Sequence, residues 1–199
     1  MFTRNPRRGR DDDIPDLRGL TPRTVAVRTA DGLRLAAWEF HERPAEAMVV
    51  LLHGWAGTKE SLDAQIVFAR GDGWDVLAPD LRNHGASEGR VTSVGYHETL
   101  DVEAAVAHVR ADARLSPNIF LWGLSMGAAA AIRAAERDPS IRGVIAESSF
   151  VSLRETVRHH ARLFYGPLGA LLCPLVLALG CWRGRIEINA MDVERPAGR

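Results

Sequence analysis

Two serines of this 199-residue chain stand in the pattern Gly-x-Ser-x-Gly, and either could serve as a nucleophile. Ser125 lies in residues 123–127, between an apolar run and a helix-forming run, whereas Ser87 lies in residues 85–89, within a polar loop. A serine hydroxyl attacks a carbonyl well only when a tight strand-to-helix turn exposes it. This context favours Ser125 as the nucleophile and indicates a glycine-rich turn around Ser87.

An attacking serine also needs backbone N–H groups that stabilise the negative charge developing on the substrate oxygen. The helix after Ser125 points its free N–H groups and its dipole at the serine, so the Met126 amide is one predicted donor. The second donor is expected in the loop after the apolar run 48–52, where Gly54 lets the backbone turn its amides inward. We predict that this second donor is the amide of Trp55.

The elements that must position these groups alternate along the chain. Residues 24–29 and 33–40 read as a hairpin, and the apolar runs 48–52, 74–78, 119–122 and 141–146 read as buried strands. Helices are predicted between those runs, from Thr58 to Gly71 or Gly73, from Tyr96 to Ala111 and from Ala128 to Arg137. This alternation predicts a mostly parallel sheet with helices on both faces, a three-layer α/β sandwich.

The second predicted helix carries an apolar stripe. Leu100, Ala104, Ala107 and Ala111 recur at helical spacing, so we expect this face to lie on the sheet.

Three segments in order carry a family resemblance: residues 51–57, residues 80–89 and residues 123–127. Together they resemble the α/β-hydrolase superfamily, and most of all its bacterial serine hydrolases of the serine aminopeptidase-like and lipase- or esterase-like kind. The resemblance implies an α/β-hydrolase fold and cleavage of an ester, thioester or peptide bond through an acyl-serine intermediate. It implies no metal and no organic cofactor. It also implies that His53 and His84 shape loops and do not act as the base.

The chain divides into four predicted parts. Residues 1–22 are expected to form a mobile tail, residues 23–150 the hydrolase core, residues 151–185 cap or lid helices, and residues 186–199 an incomplete C-terminal segment. Residues 163–182 contain no charge, so contact with a membrane is an alternative to the cap. The glycines and prolines that interrupt this segment favour the cap, whose apolar character suits a small-molecule or peptide substrate with apolar groups.

The resemblance places the catalytic acid after a seventh strand and the histidine after an eighth, and we expect the sheet to lack these last two strands. His159 and His160 follow Ser125 in the required order but lie in the cap segment, and Glu147 is an alternative acid at the end of the sixth strand. We therefore expect impaired activity. The rival interpretations are a non-catalytic hydrolase-like binding protein or gene remnant, and a membrane-peripheral protein.

Composition limits the partners and the location. The 25 basic and 25 acidic residues balance, so no overall charge favours a nucleic acid partner. Cys173 and Cys181 lack the spacing of a zinc site or a disulfide framework and are expected to be reduced thiols. The N-terminal residues lack the apolar run of a secretory signal, so a cytoplasmic location is expected. The sequence leaves the oligomeric state open.

Overall fold

The fold is seen in a computed structural model, which describes residues 17–41, 45–150, 152–184, 186 and 187. Strands and helices alternate through most of this range, as the sequence predicts. A short 3₁₀ helix, Lys59–Leu62, precedes the first α-helix. The elements in chain order are β1 Arg23–Arg28, β2 Arg34–Phe40, β3 Met48–Leu52, α1 Asp63–Gly71, β4 Asp75–Pro79, α2 Glu98–Ala111, β5 Ile119–Leu124, α3 Met126–Arg137, β6 Gly143–Glu147 and α4 Leu153–Gly184.

The six described strands form one mixed sheet in the order β1-β2-β4-β3-β5-β6. The predicted hairpin is present as the antiparallel pair β1 and β2, and β2 also runs antiparallel to β4. The pairs β3 with β4, β3 with β5 and β5 with β6 are parallel. Because the carboxyl ends of parallel strands meet at one edge, the loops after β3, β4 and β5 lie together.

Helices cover both faces of the sheet, which confirms the three-layer α/β sandwich. On one face, α2 and α3 pack against the strands, with side chains such as Val102 and Ala130 in the same buried cluster as Leu121. On the other face, α1 packs with Ile66 in a second cluster around Trp38. The described residues contain six strands of this fold, and the seventh and eighth strands are not among them.

The face of α2 that lies on the sheet is not the predicted one. Ala107 and Ala111 are exposed, and the helix instead buries a face that includes Val102, Ala105 and Asp101. Asp101 turns inward because its carboxylate accepts two hydrogen bonds from the guanidinium of Arg82 and one from the Arg82 amide. This buried charge pair rotates the helix away from the alanine stripe.

The first and last described segments of the chain have features that the sequence does not predict. Of the predicted tail 1–22, residues 17–22 are described, and Leu17 is only 2% exposed and packs in the cluster around Trp38. At the other end, α4 consists of two helical segments that meet at a kink at Gly166, whose φ of 62° and ψ of −153° are not helical. The four-part division of the chain stays a prediction.

Two further expectations concern the cysteines and the membrane. Cys173 is buried, Cys181 is half-buried, and both thiols are free. Within the part of the chain that the structure describes, no helix has the length and apolar character required to cross a bilayer.

A buried ion pair joins the start of the 3₁₀ helix to the end of β4. The ammonium group of Lys59, 1% exposed, lies 2.8 Å from Oδ2 of Asp80, which is fully buried. The Lys59 amide donates a second hydrogen bond, of 2.8 Å, to Oδ1 of the same carboxylate. Burial raises the pKa of Asp80 above its ordinary value, and the ammonium group of Lys59 offsets part of that rise.

Removing the ammonium group should therefore destabilise the fold. We expect Lys59→Met to lower the free energy of unfolding by about 3–5 kcal/mol, because it leaves the Asp80 carboxylate buried without its counter-ion. Arg137→Met, which breaks the exposed pair with Glu103, should cost no more than about 1 kcal/mol. Urea unfolding at neutral pH measures both, and equal losses would show that Lys59 and Asp80 are not a buried pair.

Candidate active site

Ser125 occupies a strained turn between β5 and α3. Its φ of 51° and ψ of −108° lie in a region that non-glycine residues rarely adopt, at a cost of about 1–3 kcal/mol. The Ser125 amide donates a 2.8 Å hydrogen bond to the Glu147 carbonyl of β6, and its carbonyl accepts one of 3.1 Å from Ala129 in α3. The side chain of Ser125 is exposed. The turn thus holds the hydroxyl out at the carboxyl edge of the sheet, as expected for a nucleophile elbow.

The two glycines of the elbow are required by close packing. A Cβ atom on Gly127 would lie 2.3 Å from the Leu52 carbonyl oxygen and 2.7 Å from that of His53. A Cβ atom on Gly123 would lie 2.4 Å from the carbonyl carbon of Gly127. Both neighbours are backbone, which cannot move aside as a flexible side chain could. The absence of these two side chains lets α3 start directly against the end of β3.

The loop after β3 reaches Ser125, as the sequence predicts. A Cβ atom on Gly54 would lie 3.5 Å from Cβ of Ser125, so the backbone of this loop contacts the serine. The loop closes as a turn, in which the Gly57 amide donates to the Gly54 carbonyl at 3.1 Å. The amides of Trp55 and Met126 donate no hydrogen bond to any described residue. Two backbone donors near Ser125 are therefore available.

Two buried histidines hold this loop in place. His53 accepts a 3.0 Å hydrogen bond at Nε2 from the Leu81 amide, and its Nδ1 bonds to the Gly54 carbonyl at 2.8 Å. His84 accepts a 3.2 Å hydrogen bond at Nε2 from the Ala56 amide, and its Nδ1 bonds to the Arg82 carbonyl. Because all four ring nitrogens are occupied by backbone groups, both histidines connect the loops after β3 and β4.

The second Gly-x-Ser-x-Gly motif is structural, as its context indicates. Ser87 is 1% exposed, its hydroxyl donates to the Asp80 carbonyl at 2.6 Å, and it accepts a hydrogen bond from the Ala36 amide. Gly85 has a φ of +48°, and a Cβ atom there would overlap the Asp80 carboxylate at 2.1 Å. This loop binds the buried carboxylate and connects it to the β1–β2 hairpin.

The candidate base and acid residues lie elsewhere. His159 and His160 are exposed on α4, and Nδ1 of His160 bonds to the Thr156 carbonyl of its own helix. Within the described ranges, the Ser125 hydroxyl has no hydrogen-bond partner. Glu147 lies at the end of β6, where its carboxylate accepts a hydrogen bond from Nε1 of Trp122. Of these residues, Glu147 adjoins Ser125 through its backbone carbonyl, while its carboxylate bonds to Trp122. The loop that carries Trp55, the turn at Ser125 and the start of α3 at Met126 also lie together.

Sequence reasoning missed two interactions near the site. The hydrogen bond from Trp122 to Glu147 joins residues on neighbouring strands, and the parallel register of β5 and β6 was its only available signal. The guanidinium of Arg82 binds both Asp101 and Asp31, which lie in α2 and in the hairpin turn. No local pattern pairs residues so far apart in the chain.

The surroundings of Ser125 are open. A cavity of about 860 Å³ lies nearer the hairpin, lined by residues that include Arg82, Arg90 and His97 and by none from the elbow. In the described part of the chain, no group of three or more His, Cys, Asp or Glu residues could hold a metal ion.

Sequence comparisons identify relatives over most of the chain. A model of the family described as serine aminopeptidase, S33, matches residues 43–185. An uncharacterized membrane protein of Saccharomyces cerevisiae is 30% identical over 148 residues, which are 73% of this chain and 51% of that protein. An uncharacterized protein of Mycobacterium tuberculosis is 32% identical over 152 residues, 74% of this chain and 53% of that protein. The chain thus spans about half the length of these curated relatives.

Solved structures show the same fold. The Pyrococcus furiosus esterase Pf2001 superposes with a TM-score of 0.73 at 30% identity, covering 82% of this chain and 63% of that one. Epoxide hydrolase A of Mycobacterium thermoresistibile gives a TM-score of 0.56 at 28% identity, covering 73% and 46%. These two relatives are named for different reactions, so the shared fold does not by itself define the bond that is cleaved.

The elbow geometry predicts a strong effect of a single methyl group. We expect Gly127→Ala to lower the free energy of unfolding by about 1–3 kcal/mol or more, because the new Cβ meets the Leu52 carbonyl oxygen. Gly71→Ala is the matched control, since nothing lies within 4 Å of that position, and it should be neutral or stabilising by up to about 1 kcal/mol. Thermal and urea unfolding measure both, and equal stability would contradict the close approach of α3 to β3.

The buried imidazole of His53 predicts a pH dependence. Burial, assisted by nearby His84, lowers the pKa of His53 from 6.5 to about 3. Between these values the unfolded chain binds a proton that the folded protein excludes. The free energy of unfolding should therefore decrease by about 1.4 kcal/mol for each pH unit as the pH is lowered below 6.5. Unfolding free energies at pH 7, 6 and 5 measure this slope. His53→Gln should remove that contribution and the exposed control His160→Gln should keep it, while identical slopes in the two variants would contradict the assignment.

Proposed function

This chain belongs to the serine aminopeptidase family and has the fold of the α/β-hydrolases, and from that premise we propose that Ser125 is the nucleophile of a serine hydrolase. The observation that carries the proposal is the strained backbone of Ser125, with φ of 51° and ψ of −108°. Strain of this kind persists where the surrounding structure enforces it, and it clusters at active sites. Here the strain lifts one hydroxyl to the edge of the sheet beside a helix N-terminus.

In the proposed reaction, Oγ of Ser125 attacks the carbonyl carbon of an ester, thioester or peptide bond. A base takes the hydroxyl proton, and the carbonyl oxygen becomes an oxyanion that accepts hydrogen bonds from the amides of Trp55 and Met126. Collapse of this intermediate breaks the bond to the alcohol, thiol or amine, which leaves with the proton. Water then hydrolyses the acyl-serine and regenerates the hydroxyl.

The described residues supply the nucleophile and the oxyanion donors of this mechanism. None of their imidazoles bonds to the Ser125 hydroxyl, and loss of the base alone costs on the order of 10⁴ to 10⁶ in turnover in serine hydrolases. We propose that these residues, acting without a histidine and an acid beside Ser125, have impaired activity.

Two observations favour an apolar ester as substrate. The similarity to the Pyrococcus furiosus esterase Pf2001 favours an ester among the three bond types. The position of α4, which follows β6 in the chain, suits the proposed cap over an apolar substrate.

The alternative function is binding without catalysis. The observation that favours it is again the Ser125 hydroxyl, which has no base among the described residues. A hydrolase-like protein of this kind would bind an acyl compound at the elbow and leave it intact.

A fluorophosphonate probe distinguishes the two functions, because it reacts with serines that are activated as nucleophiles. We expect slow labelling of the chain, abolished in Ser125→Ala and retained in Ser87→Ala, since Ser87 is buried and hydrogen-bonded. Intact-protein mass spectrometry measures the adduct, and circular dichroism verifies that both variants are folded. An unlabelled wild-type chain favours the binding protein, and labelling that survives Ser125→Ala contradicts the assignment of the nucleophile.

A further inference from the structure

The helix α4 turns its large apolar side chains away from the protein. Ten of them are between 47% and 78% exposed. Clustered exposed apolar side chains of this kind mark a site of interaction. The ten residues are Leu163, Phe164, Tyr165, Leu168, Leu171, Leu172, Leu175, Val176, Leu179 and Trp182.

The second half of α4 is amphipathic, but its apolar face is exposed and does not face the core. Leu168, Leu171, Leu175 and Leu179 recur at helical spacing and form one exposed stripe. The opposite side buries Cys173, a small side chain that is 4% exposed. In a helix that serves only to cover a core, the leucines would face inward. This stripe instead faces away from the described core.

Both ends of α4 are fixed to the core, and its middle projects outward. Leu153 from the first half and Cys181 from the second half pack with the same core cluster, and the Gly184 carbonyl accepts a hydrogen bond from Nε2 of His97 at 2.8 Å. The bend at Gly166 lies between these ends. The exposed rings of Phe164 and Tyr165 lie next to this bend, between the two ends that contact the core.

Basic and aromatic side chains border the apolar surface. Arg158 and Arg162 are exposed one helical turn apart, just before the apolar residues begin, and Glu155 is the only acidic residue of α4. Tyr165 and Trp182, 77% and 78% exposed, stand at the two ends of the stripe. Tyrosine and tryptophan prefer the level of lipid headgroups, and arginines near apolar faces bind anionic phosphates.

We propose that the outer face of α4 docks on the surface of an anionic lipid bilayer. The helix lies in the plane of the interface, with the leucine stripe among the upper acyl chains and Arg158 and Arg162 at the phosphates. This arrangement lies on the membrane and does not span it.

A second copy of the chain fits the same surface less well. It would cover the leucine stripe, but it would add its own Arg158 and Arg162 to those already present. Glu155 is the only carboxylate that each α4 offers in exchange. A bilayer offers both partners at once, because its phosphates pair with the arginines and its acyl chains cover the leucines.

Vesicle sedimentation tests the proposal. The wild-type chain should bind vesicles of phosphatidylcholine with phosphatidylglycerol and should bind phosphatidylcholine alone more weakly. Arg158→Gln with Arg162→Gln should weaken binding to the anionic vesicles about thirtyfold, since each basic group near such a surface contributes roughly fivefold. Leu171→Gln with Leu175→Gln should weaken binding to both kinds of vesicle by at least about tenfold.

Matched controls lie on other surfaces. Phe68→Gln removes an equally exposed apolar side chain from α1, and Arg142→Gln removes an exposed arginine near β6, so both variants should bind as the wild type does. Binding that is absent, indifferent to phosphatidylglycerol, or unchanged by the α4 variants overturns the proposal. A second result would also overturn it: a wild-type chain that is dimeric in light scattering and does not bind vesicles, and a leucine variant that is monomeric. A second copy of the chain would then be the partner.

Discussion

The close approach of α3 to the end of β3 is the constraint on which the candidate site depends. The parallel register pairs Leu52 with Gly123, so the loops after β3 and β5 leave the sheet side by side. Gly127 then lies against the carbonyl oxygens of Leu52 and His53. Any side chain at this position would push α3 away from the end of β3. The loop after β3 can reach Ser125 only because this contact is made by glycine. The chemistry of the site thus follows from backbone packing before any catalytic side chain is considered.

Buried polar groups make this arrangement specific. Leaving a polar group unpaired in the core costs about 1–3 kcal/mol, so Lys59, Asp80, His53 and His84 favour the one arrangement in which their partners are in reach. Each of these partners comes from the loop after β3, the loop after β4 or the 3₁₀ helix. The network therefore fixes the relative positions of loops that carry little regular structure. His53 takes part only as a neutral imidazole, because its Nε2 must accept the hydrogen bond that the Leu81 amide donates.

The sequence predicts those features that depend on neighbours in the chain. Apolar runs between turn residues predict the strands, and the strand and helix around residues 123–127 distinguish Ser125 from Ser87 although both share one motif. Periodicity fails where a distant charge decides, as in α2, where Arg82 draws Asp101 inward and turns Ala107 out. It also fails in α4, because helical spacing shows that leucines share a face but not whether that face meets the core.

The outer face of α4 lies outside the buried core. Both buried clusters are built mainly from β1 to β6 and from α1 to α3, and among the buried core side chains α4 supplies Leu153 to the larger cluster. Its exposed leucines belong to neither cluster. The free energy of folding therefore gives no reason for large apolar side chains on that surface, since alanine would serve the helix as well or better. The proposed docking on a lipid surface gives these side chains a role that folding does not.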